Sequence, residues 1–260
     1  MPASLKPVKK SAVRDRVSKE EWQVRVDLAA AYQLASIFKW TDLIYTHFSA
    51  RVPGSEDFLI SAYGLMFDEI TASNLVKIDH RGKVLDDPMD LGYNEAGFVI
   101  HGCVHEARRE INCVIHTHTR SGVAVSAMKC GLLPISQHAM MTQQQVVYHD
   151  YEGIALDMDE RTRMARDLGK TSKVMILRNH GLLTLGETVR EAFELMYYLD
   201  CACQIQVGAM AGGMANVLHM TESAAKNTAQ QFQRPQRPAE QKDWPALLRL
   251  LERKGISFRD

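Results

Sequence analysis

The sequence predicts an α/β sandwich, because short apolar runs ended by Gly or Pro interleave with longer stretches whose apolar residues recur every three or four positions. Two of the short runs end in histidine: Cys113-Val114-Ile115-His116-Thr117-His118 and Val174-Met175-Ile176-Leu177-Arg178-Asn179-His180-Gly181. Residues i and i+2 of a strand point to the same face, so His116 and His118 can offer their rings to one ion. The second run, stopped by Gly181, would deliver His180 from the end of a neighbouring strand. Three neutral imidazoles suit zinc or another divalent transition metal. An H-x-H pair alone also fits ordinary structural histidines, so a metal site needs support from the rest of the chain.

Ser18-Lys19-Glu20-Glu21 reads as a capping box that opens a helix to about Phe38, with Trp22, Val26, Ala29 and Ala30 on its inward stripe. Residues 45–52 and 57–62 read as a hairpin around Pro53-Gly54, and 75–79 as a strand reaching a turn at His80-Arg81-Gly82-Lys83. Asn94 can cap a helix to about Arg109, after which 113–118 forms the histidine-bearing strand. A short helix over 121–129 is stopped by Gly131. A strand at 146–148, a helix over 157–168 with Gly169 beyond its end and a strand at 174–177 follow. Thr188-Val189-Arg190-Glu191 is a second capping box, opening a long helix to about Ala211. Residues 1–17 read as a flexible basic arm, 18–229 as the main domain, 230–242 as a polar linker and 243–260 as a C-terminal helix and tail. Trp244, Leu247, Leu248 and Leu251 make one apolar face of that helix, which must pack on the parent domain or on a neighbouring subunit.

With 260 residues and 46% apolar side chains the chain can bury a substantial core. No apolar stretch approaches the roughly 20 residues that cross a bilayer, so no membrane role is expected. Lys plus Arg equals Asp plus Glu at 31 each, so no global field recruits nucleic acid. The basic N-terminus lacks the apolar segment of a secretory signal. Five cysteines, an odd number without a C-x-x-C pair, point to reduced thiols in the cytoplasm. No nucleophile elbow, P-loop or Gly-x-Gly-x-x-Gly occurs, which leaves serine acyl transfer, nucleotide hydrolysis and dinucleotide binding without support. His101 and His105 share a helix face but lack the Glu of a metalloprotease motif. His101 is expected as a hydrogen-bond partner of the site and His105 as structural.

Several strings occur in one order: Thr46-His47-Phe48-Ser49-Ala50-Arg51, Asn94-Glu95-Ala96-Gly97-Phe98-Val99-Ile100-His101 and His116-Thr117-His118-Thr119. They continue through residues 125–136, Tyr148-His149-Asp150-Tyr151-Glu152-Gly153 and Leu177-Arg178-Asn179-His180-Gly181-Leu182. Together, over about residues 20 to 215, they resemble the class II aldolase/adducin family and its adducin-like branch in particular. The resemblance implies a three-layer α/β/α sandwich around a mixed β-sheet. It also implies a cyclic homotetramer with the active site between subunits, and a metal held by His116, His118 and His180. Zinc is the expected ion, with iron or manganese as alternatives.

The departures from the family bear on function. Thr46-His47-Phe48-Ser49 stands where sugar-phosphate aldolases of the family carry a phosphate-holding Gly-Asn-x-Ser loop, so a non-phosphorylated substrate is expected, with His47 a substrate contact. The family's catalytic glutamate falls on Gly97. Glu95, two residues earlier, and His138, which matches a tyrosine supplied by the neighbouring subunit, are the candidate acid/base groups. The expected function is a metal-dependent lyase of the aldolase type, cleaving a small hydroxy-carbonyl, sugar-like compound through a stabilised enediolate or enolate. Alternatives on the same site are decarboxylation, epimerisation and iron-dependent oxygenation. A different class of alternative is a non-catalytic adducin-like module that binds a protein such as actin.

Overall fold

A computed structural model describes residues 13–153, 158–232 and 242–260. Most of the expected arm and linker, and the expected helix start at Asp157, lie outside these residues. The chain builds one mixed sheet from β1 (His47–Arg51), β2 (Phe58–Ile60), β3 (Val76–Ile78), β4 (Val84–Asp86), β5 (Cys113–Thr117), β6 (Val146–His149), β7 (Val174–Leu177) and β8 (Gly181–Gly186). Their order across the sheet is β4-β3-β2-β1-β5-β8-β7-β6. β6 and β7 run parallel, and the other neighbours pair antiparallel. β7 is the strand expected at 174–177, but Gly181, read as the stop of that run, opens a further strand, β8, which lies between β5 and β7.

Helices α1 (Lys19–Ile37), α2 (Glu95–Ala107), α3 (Arg120–Ser126), α4 (Gln137–Thr142), α5 (Met158–Leu168), α6 (Val189–Met210), α7 (Glu222–Phe232) and α8 (Asp243–Arg253) complete the architecture. The three caps proposed from sequence are made by side chains: Ser18 accepts from the Glu21 amide, Asn94 from that of Ala96 and Thr188 from that of Glu191. Alternation along the central strands sorts side chains into two cores. Cys113, Ile115, Val174, Ile176 and Leu182 pack with α1, α3 and α6 on one face. Val114, Met175, Leu177, Leu183 and Leu185 pack with α2 and α5 on the other. The α/β/α sandwich is thus the expected one, and its second face carries the site.

Val26, Ala29 and Ala30 of α1 are buried as the periodicity requires, but Trp22 is only half-buried, and the fully buried residue of the first turns is Arg25. Its guanidinium donates from Nε to Glu21 at 3.0 Å and from Nη1 to the Leu75 carbonyl at 3.1 Å. The C-terminal helix docks on its own domain. Trp244 donates to Asp27 of α1, Leu251 and Phe258 are buried, and the Ala72 amide donates to the Phe258 carbonyl. Among the described residues no helix is long and apolar enough to cross a membrane.

Candidate metal centre

His116 lies on β5, on the face covered by α2, and His118 follows one residue beyond the strand end. His180 arrives in the tight turn that joins β7 to β8. That turn needs two special positions: Asn179 at φ 55°, and Gly181, where a Cβ would stand 2.4 Å from the Thr117 carbonyl. Without a side chain at 181 the turn can press against the end of β5. The three rings lie with centroids 4.7 to 4.8 Å apart, and one nitrogen of each falls within 4.8 Å of the others.

The hydrogen bonds behind the rings assign their protons. His116 Nδ1 donates to the Leu182 carbonyl at 3.0 Å, and His118 Nδ1 donates to the Asp42 carboxylate at 3.0 Å. In neutral rings each Nε2 is then a lone pair, and the two face one another at 2.9 Å. Two lone pairs cannot bond to each other, but a cation between them can accept both, so the donor set fits a divalent metal. Burial pushes the His116 imidazolium well below its ordinary pKa, reinforced by His180 and His118. Burial, helped by His118, lowers His180 to about 4. His116 and His180 are therefore neutral near pH 7, the form in which imidazole can ligate a metal.

A second group of polar side chains lies beside the triad. His47 and Ser49 project from β1 to the same face, since His47 pairs across the ladder with His116. His47 Nδ1 contacts His101 Nε2 at 2.8 Å, and Ser49 Oγ contacts His101 Nδ1 at 2.6 Å and His105 Nε2 at 2.8 Å. The His47 and His116 ring centroids are 5.3 Å apart. His101 is the site-side partner expected of it, but His105 belongs to the same network. A Cβ at Gly97 would meet His47 Cδ2 at 2.8 Å and Cγ at 2.9 Å. The place of the missing carboxylate is thus filled by an imidazole.

Glu95 is exposed at the start of α2 and does not join the His cluster. His138, on α4, lies against Tyr198 with ring centroids 5.9 Å apart, and it too is apart from the triad within one chain. A cavity of about 860 Å³ opens beside His118, lined also by Lys39, Trp40, Arg120 and Asp200. Sequence reasoning missed Asp42, which carries no spacing signal, and the part played by Ser49. His149 has Asp150 beside it in the sequence, but strand neighbours point to opposite faces, and its Nδ1 donates to Asp167 at 2.8 Å.

An α/β/α sandwich with three convergent imidazoles defines a class of protein that could hold a metal ion. Comparison with known proteins narrows it. The family described as Class II Aldolase and Adducin N-terminal domain matches residues 26–207. A Pseudomonas aeruginosa protein named for aldolase class 2 is 46% identical over 252 residues, 95% of this chain and 96% of the relative. Rat alpha-adducin is 48% identical over 204 residues, 77% of this chain but 28% of the adducin. The crystal structure of an aldolase II superfamily protein from Pseudomonas syringae is 55% identical and superposes with a TM-score of 0.91, covering 95% of this chain and 99% of that one. L-fuculose 1-phosphate aldolase from Glaciozyma antarctica, 24% identical, shares the fold with a TM-score of 0.80 over 100% of this chain and 97% of its own. The chain belongs to the class II aldolase/adducin family.

Proposed function

We propose that the protein is a metal-dependent lyase of the aldolase type, acting on a small, non-phosphorylated hydroxy-carbonyl compound. The observation that carries this reading is the triad itself. His116 and His118 have their Nδ1 protons committed to Leu182 and Asp42, and both Nε2 lone pairs converge with His180. Zinc suits three neutral imidazoles, with iron or manganese the alternatives. When bound, a divalent ion supplies Lewis-acid stabilisation of charge developing on substrate oxygens. The chain's residues do the rest. His47 contacts substrate from β1, and the cavity beside His118 admits it. Glu95, in the first turn of α2, supplies the carboxylate that acts as acid/base. His138 serves the site of a neighbouring subunit in a homotetramer, which accounts for its distance from the triad of its own chain. Five unpaired thiols support a cytoplasmic location.

The similarity to alpha-adducin favours one second reading, a binding module that keeps the fold without turnover. The test measures metal content of the purified protein and of His180→Ala, then cleavage of a panel of non-phosphorylated hydroxy-carbonyl compounds. Stoichiometric metal, its loss in the variant and aldehyde release from at least one compound are expected. Full metal retention in His180→Ala removes the third ligand. A loaded protein that cleaves nothing in the panel turns the choice to the binding module.

A further inference from the structure

The four groups beside the triad form a hydrogen-bond chain with a single possible direction. It ends on the Ile111 carbonyl, which can only accept, 3.4 Å from His105 Nδ1. His105 therefore carries its proton on Nδ1, and its Nε2 must accept. The donor is the Ser49 hydroxyl at 2.8 Å. A hydroxyl donates once, so Ser49 Oγ accepts from His101 Nδ1 at 2.6 Å, which leaves His101 Nε2 a lone pair. That lone pair accepts from His47 Nδ1 at 2.8 Å. His47 is then left with a bare Nε2. All three rings are buried, which opposes a second proton on any of them and leaves the sequence unbroken.

The last atom of the chain has no partner of its own. His47 Nε2 makes no hydrogen bond among the described residues, and it stands 3.1 Å from where a Cβ of Gly97 would be. It does not join the ligand cluster of His116, His118 and His180. A neutral acceptor beside a cation site, with no proton to give, matches a hydroxyl and mismatches a carboxylate or phosphate oxygen.

We propose that Ser49, His101 and His105 are positioning residues that lock His47 in the Nδ1–H tautomer, so that its Nε2 accepts a hydrogen bond from a substrate hydroxyl next to the metal triad. The substrate class rests on the lyase reading above; the tautomer does not. Aligned bonds of this kind polarise one another, and breaking one in the middle releases the rest.

Neutron diffraction from crystals of the full chain in deuterated buffer tests the proposal, with the solvent itself as the hydroxyl probe. Deuterium is expected on Nδ1 of His47, His101 and His105, on Ser49 Oγ directed at His105, and on a water that donates to His47 Nε2. Deuterium bonded to His47 Nε2 overturns the proposal. In Ser49→Ala crystals the His47 deuterium is expected to move wholly or partly to Nε2, whereas an unchanged tautomer removes Ser49 from the chain. Should that variant fail to fold, the wild-type map still decides, because a bare or deuterated Nε2 is read there directly. No turnover enters the measurement, so a failed screen for cleavage and a failed tautomer assignment are separate results.

Discussion

Replacing Gly97 by Ala asks whether His47 is fixed against the backbone of α2. In an ordinary helix interior Ala is better than Gly by roughly 0.5 to 1 kcal/mol, so the bare expectation is a stabilised protein. The structure reverses the sign. The new Cβ would lie 2.8 and 2.9 Å from His47 Cδ2 and Cγ, closer than real Cβ contacts, and the ring is tied at Nδ1 to His101. Overpacking a core by one methyl costs about 1 to 3 kcal/mol. If the ring withdraws instead, two buried nitrogens lose their bond, at about 1 to 3 kcal/mol. After the helix gain is set against this, a net loss of about 1 kcal/mol remains, roughly a fivefold shift in the folded-to-unfolded ratio. Guanidinium unfolding of the metal-free protein measures it as a lower midpoint at unchanged slope. Gly208, in α6 with nothing within 4 Å of its would-be Cβ, supplies the control, and Gly208→Ala should stabilise. If Gly97→Ala stabilises as much as the control does, His47 is not held where the structure places it.

Two further predictions concern protons and the metal. Asp42→Asn should weaken metal binding about 10- to 100-fold in chelator competition, because the carboxylate that orients His118 and raises its basicity is lost; unchanged affinity would strip Asp42 of that role. Burial lowers His47 and His105 to about 3 in the folded protein, against about 6.5 unfolded. The unfolded chain therefore takes up the protons first, so stability is complete above pH 6.5 and is lost as pH falls from there toward 3. Each histidine contributes a slope of at most about 1.4 kcal/mol per pH unit within that window, and denaturation midpoints of metal-free protein that stay flat from pH 6.5 to 5 would contradict the burial of both rings.

What could be read from the sequence was whatever depends on local periodicity. His116 and His118 share a face because strand period is two, and the helix caps at Ser18, Asn94 and Thr188 follow from residue type and spacing. Features that depend on chain reversal were harder. Gly181 looked like a stop because Gly ends strands, yet here it permits a close turn, and the apolar run after it continues the sheet as β8. β4, half exposed and three residues long, has too little apolar pattern to stand out. Asp42 reaches His118 from a loop that no spacing rule connects to β5, 76 residues away in the chain. Gly97 was legible as a carboxylate lost from the family pattern. That the lost volume is taken up by the ring of residue 47 could appear only once β1 and α2 were packed together.

The ligand triad hangs from one continuous ladder: β5 pairs with β8 from Cys113–Gly186 to Thr117–Leu182, and β8 turns directly into β7 through His180. In small zinc domains the ion creates the fold, and removing it unfolds the chain. Here the strands that deliver His116 and His180 are paired by backbone hydrogen bonds that need no ion, so removing a bound ion is expected to leave the sheet folded. An ion held there would then be selected by the nitrogen donors and by supply, because the fold would not depend on which ion it was.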